Sequence, residues 1–116
     1  MKKILIFEQF ILEMVGTPLF TVFTSWSNAV TVKYGLPVFD DLYEQGKNYK
    51  EVIDYYVSNS KMKDFYTKDF LKKLKRDVVI KTDKDKYVID SFKNNLGIEL
   101  DKLLNNEEAI NKIIYG

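Results

Sequence analysis

Three carboxylates, Asp40, Asp41 and Glu44, stand close together beside Tyr43. Hard oxygen donors in such a cluster can hold a divalent ion. Two of them could also serve as an acid and a base if their surroundings split their pKa values. A metal-dependent hydrolase is therefore one reading of the chain. The plainer reading is preferred: acids in the first turn of a short helix complement its dipole.

The rest of the composition favours that plainer reading. The chain has no histidine and no cysteine. This removes the side chain that titrates unperturbed near neutrality and the strongest common nucleophile. It also removes the usual zinc, iron and copper ligands. Asp83-Lys84-Asp85 opens like a calcium loop, but Val88 stands where glycine is needed and Asn94 where glutamate is needed. The five glycines, at 16, 35, 46, 97 and 116, are too dispersed for a phosphate-cradling loop. No cofactor, metal or small-molecule substrate is expected, and the chain reads as a non-enzyme.

What remains is contact. Rings make up 15% of the residues; the plainer reading is a core rich in rings, and the sharper one is that some tyrosines form a contact surface. Tyr49, Tyr55 and Tyr56 share one helical stretch, and tyrosine is a frequent anchor at protein interfaces. The leading expectation is a non-catalytic protein–protein interaction protein: a small adaptor, inhibitor or assembly subunit of a bacterium or its phage. Tyr49, Tyr55, Tyr56, Phe10 and Leu5 are the expected partner-binding residues. A second copy of the chain is one candidate partner.

The alternative is a nucleic-acid-binding regulator. Net charge is only +1, but residues 61–86 hold ten basic residues against five acids. Lys68, Lys72, Lys73, Lys75 and Arg76 would contact phosphates, with Phe65, Tyr66 and Phe70 as interleaved rings. Asp64, Asp69 and Asp77 dilute that field, and Arg76 is the only arginine. The stretch 92–103 has some of the spacing of a helix-turn-helix. Glu99 and Asp101 would then face phosphates, so a plain helical corner is preferred.

A length of 116 residues suits one globular domain spanning 1–116. No run approaches the ~20 apolar residues of a bilayer span. The apolar run 4–7 stops at Glu8 and Gln9, so no leader is expected. Without cysteine, a small secreted scaffold is disfavoured. A cytoplasmic protein with no membrane partner is the resulting expectation.

The periodicity predicts a mainly α protein, a compact irregular bundle of short helices. The first helix spans 2–15, apolar over most of its circumference. Gly16-Thr17-Pro18 breaks the chain, with Thr17 as cap of a second helix that ends near Gly35. A short helix follows in 38–45, then one from Tyr49 to about Ser58 behind an Asn48–Glu51 capping box. Thr67 is the expected cap of a helix running to about Arg76, with Tyr66 and Leu71 as its staple. Residues 77–90 admit two readings. Val78–Ile80 and Tyr87–Ile89 could pair as a β-hairpin, but a helix over 84–95 behind Thr82 or Asp83 is preferred. Short helices after Gly97 and behind an Asn105–Glu108 box complete the chain. The expected core is Phe7, Ile11, Leu19, Phe23, Trp26, Val30, Val52, Ile53, Phe70, Leu74, Phe92 and Leu103.

Overall fold

A computed structural model describes residues 16–116. The expectations for the helix at 2–15, including Leu5, Phe7, Phe10 and Ile11, lie outside the described residues. The fold is mainly α, as the periodicity predicts. A two-residue strand β1 (Thr17–Pro18) leads into α1 (Leu19–Thr31), which tightens into a 3-10 turn over Val32–Tyr34. Then come α2 (Phe39–Glu44), α3 (Tyr49–Ser58) and a helical stretch whose π-turn, Phe65–Asp69, runs into α4 (Phe70–Lys72). Strand β2 (Val78–Val79) precedes α5 (Asp83–Leu96), α6 (Leu100–Leu103) and α7 (Glu107–Tyr115). No helix among the described residues is long and apolar enough to cross a membrane.

Several boundaries follow from local chemistry. The Asn48 side chain accepts the Glu51 amide, and the Glu51 carboxylate accepts the Asn48 amide in return. This satisfies two orphan donors of α3. Gly97 ends α5 at φ +68, in the left-handed region that disfavours any residue with a Cβ.

Other boundaries are set by distant partners. The hairpin alternative in 77–90 does not form. Val78–Val79 pairs in parallel with Thr17–Pro18, and Tyr87–Ile89 lies inside α5. Thr17 does not cap α1: Pro18 holds the N-cap position and has no side-chain cap bond. Thr67 is not a cap either, for its hydroxyl lies within the π-turn and donates to the Lys63 carbonyl at 2.9 Å. A threonine inside a helix can satisfy itself in this way. The basic helix stops at Lys72 rather than Arg76. At the chain's end the cap shifts by one residue. Asn106 accepts the Ala109 amide, whereas Asn105 sits at φ +59 and bonds both N–H and C=O of Val78.

The core is a block of rings. Phe23 stacks on Tyr66 at 5.6 Å and meets Phe39, Phe70 and Phe92 edge-on. Leu19, Val52, Ile53, Leu74 and Leu103 are also buried, as expected. Two expected core residues are not. Trp26 is 39% exposed and Val30 only partly buried. On α1 the buried stripe is Leu19, Phe23, Ser27 and Thr31, a strict fourth-residue spacing that leaves Trp26 off to one side. Ser27 is tolerated in the core because its hydroxyl meets that of Tyr66 at 2.7 Å.

Burial shapes the tyrosine chemistry. It raises the hydroxyls of Tyr56 and Tyr66 well above the ordinary 10.0, although the Ser27 bond partly opposes this at Tyr66. Tyr43 is pushed up to about 12 by burial, then by Tyr49 and the Asp40 carboxylate. The unfolded chain loses these protons near pH 10, and the folded chain holds them longer. Their contribution to stability is therefore complete below pH 10 and is lost as pH rises through the folded-state values. Urea unfolding should show a falling free energy from pH 10 to about 12. A flat profile over that window would contradict the burial of these hydroxyls.

Candidate functional site

The acidic cluster is dispersed. Asp40, Asp41 and Glu44 are exposed on α2, and no group of three metal-ligating side chains converges among the described residues. The helix-turn-helix spacing yields a corner in which the second helix, α6, is a single turn. One turn cannot lie along a groove and present several side chains to base edges.

The tyrosine helix divides between surface and interior. Tyr56 is fully buried, and its hydroxyl donates to the Pro37 carbonyl, so it cannot serve as a partner contact. Tyr55 is half-buried with Lys47 near its ring. Tyr49 is 42% exposed, but its surroundings already satisfy it. Phe20 and Tyr43 meet it edge-on at 5.6 and 5.1 Å, and the Lys84 ammonium lies 3.8 Å over its ring.

The basic run is different. Lys68, Lys72, Lys73 and Arg76 are exposed and Lys75 is half-buried. None forms an ion pair among the described residues, where the one ion pair joins Lys102 to Glu99. The rings expected to interleave with these cations are absent from the surface. Phe65, Tyr66 and Phe70 all turn into the core. The π-turn contributes to this, since its wider winding places adjacent Phe65 and Tyr66 inward together with Phe70 and Leu71.

Two other rings take their place, from elements remote in sequence. Trp26 of α1 lies under the Lys73 ammonium, 3.9 Å from the ring centroid. Tyr115, at the end of α7 and 70% exposed, lies near the Lys72 ammonium at 5.8 Å. Trp26 also lines an open cleft with Thr21, Lys73, Arg76 and Asp77. A second depression beside the β1–β2 bridge is lined by Gly16, Lys75, Arg76, Asp77 and Asn105.

The bridge holds this corner in shape. Gly16 has φ +87, and a Cβ there would sit 2.6 Å from the Asp77 carbonyl oxygen. That oxygen accepts the Thr17 amide, while Asn105 clamps Val78 from the other side. Behind the bridge lies Asp85, fully buried at the third position of α5. One carboxylate oxygen accepts the Phe20 amide at 2.6 Å, and the other accepts the Lys81 and Thr82 amides at 2.7 and 2.9 Å. One side chain thereby joins the starts of α1 and α5, and so fixes the helix that carries Trp26.

The working arrangement is a cationic corner with a ring on either side. Its four basic residues, Lys72, Lys73, Lys75 and Arg76, are recognisable in the run 61–86. Periodicity places Trp26 in the core, and Tyr115 carries no local signal at all. Comparisons of the chain with protein-family models, curated proteins and solved structures find no match.

Proposed function

We propose that this protein works by binding rather than by transforming a substrate, and that its contact surface is the basic corner built from Lys72, Lys73, Lys75 and Arg76. The partner is an anionic macromolecule. The observation that carries this reading is four cationic groups in five residues, unpaired among the described residues and flanked by the exposed rings of Trp26 and Tyr115. Elsewhere on the described surface the exposed ring of Tyr49 is held edge-on between two other rings, Phe20 and Tyr43, which Trp26 and Tyr115 are not.

Concentrated positive charge on one face of a near-neutral protein raises the local concentration of polyanions and speeds encounter. The full chain should be retained on immobilised heparin at low salt. Lys72→Glu with Lys73→Glu should remove that retention. Lys33→Glu with Lys50→Glu changes net charge equally at exposed positions elsewhere and should leave retention largely intact. Identical elution of the two double variants would overturn the assignment of the face.

A further inference from the structure

We infer that the anion taken by this face is a single-stranded nucleic acid, with phosphates on Lys72, Lys73, Lys75 and Arg76 and bases stacked on Trp26 and Tyr115. The inference rests on the basic corner being the contact surface. Its starting point is the pairing of each exposed ring with a lysine. The ammonium of Lys73 lies over Trp26, and that of Lys72 lies near Tyr115.

Surface cation–π pairs of this kind are weak and readily exchanged. A ligand that is only an anion would draw the ammonium away and leave a bare ring in water. A ligand that is only a flat ring would displace a cation and offer it nothing. A polymer that alternates phosphate and base supplies both partners at once. The ammonium moves to a phosphate, and the ring face it leaves accepts a base. Stacking of this sort is tolerant of sequence, because every base has a π-face.

The layout suits a strand. Adjacent residues on a helix project about 100° apart, so the Lys72–Tyr115 and Lys73–Trp26 pairs lie on adjoining faces. Past Trp26 the cleft continues to Arg76, and the second depression adds Lys75, with Asp77 the one acid lining both. A duplex fits poorly, since its bases are stacked on each other. The α6 turn, the other helical element at a corner, offers Asp101 and a lysine, Lys102, already paired with Glu99.

Trp26 is the only tryptophan, so its emission reports directly on the site. The full chain is titrated with a labelled oligothymidylate of about a dozen nucleotides, with a duplex of the same length, and with poly-L-glutamate. The single strand should quench Trp26 emission and bind more tightly than the other two. Its affinity should fall with salt at a log–log slope of about −2 to −3, as for three or four phosphate contacts. Lys72→Glu with Lys73→Glu should abolish binding. Tyr115→Ala and Trp26→Leu should each weaken it roughly tenfold while heparin retention and helical circular dichroism persist. Tyr115 lies at the exposed end of α7, so its variant tests the stacking role even if Trp26→Leu loses its fold.

Binding of poly-L-glutamate as tightly as the oligonucleotide would overturn the nucleic-acid inference and leave the anion-binding face standing. Duplex bound as tightly as single strand would overturn the single-strand claim. Failure of every polyanion, heparin included, would overturn both.

Discussion

Asp85→Ala should lower the free energy of unfolding by about 3–5 kcal/mol, the cost of deleting a buried carboxylate that accepts three part-buried backbone amides. A domain of this size has roughly 6–15 kcal/mol in total, so the variant would lose a large share of it. The first amides of a helix have no partner within it. Pro18 supplies no cap to α1, and the Phe20 amide depends on Asp85. The Lys81 and Thr82 amides depend on the other oxygen of the same group. Removing it unpairs three part-buried amides at once. Asp85→Asn is the discriminating partner variant. It keeps the volume and one acceptor oxygen but turns an NH2 toward donors, and should cost about 2–3 kcal/mol. Equilibrium urea unfolding, followed by circular dichroism, measures both. A loss below about 1 kcal/mol for the alanine variant would show that the carboxylate is not what ties the two helices together.

Phe23→Ala should be comparably severe, about 3–5 kcal/mol, in the range for deletion of a buried phenyl group. Phe23 is fully buried and meets Tyr66, Phe39, Phe70 and Phe92. Its removal opens a cavity bordered by rings, which cannot relax inward as flexible aliphatic chains can. Phe23→Leu fills much of that volume but forfeits the edge-to-face contacts. Its expected cost is nearer 2–3 kcal/mol, the low end for four aromatic pairs at about 0.5–1.5 kcal/mol each. Equal destabilisation by the two substitutions would mean that ring geometry, not filled volume, dominates this core.

Features with nearby partners were legible from the residues alone. The Asn48–Glu51 box is closed within one turn, and Gly97 announces its left-handed cap by its identity. The mainly α class follows from the periodicity, and the preferred helix over 84–95 appears as α5.

Features with distant partners were not legible. Hydrophobicity placed Trp26 inside, because Ser27 and Thr31 look too polar to line a core. Only the Tyr66 hydroxyl, contributed from another helix, makes Ser27 acceptable there. Asp85 looked like part of a failed calcium loop. Its partner amide at Phe20 lies 65 positions away. Asn105 seemed to head a capping box, yet its amide group is committed to the Val78 backbone 27 positions away. Of the candidate contact residues, Tyr56 was lost to the core for a similar reason: the Pro37 carbonyl provides its hydroxyl with a buried partner.

The reach of Asp85 has a bearing on how the chain is made. Translation delivers α1 early, yet the group that completes its first turn emerges 65 residues later. Until then α1 has a ragged beginning, and β1 also lacks its neighbour, since Val78–Val79 has not been synthesised. Vectorial folding on the ribosome should therefore stall, and lock only when residues 78–85 clear the exit tunnel.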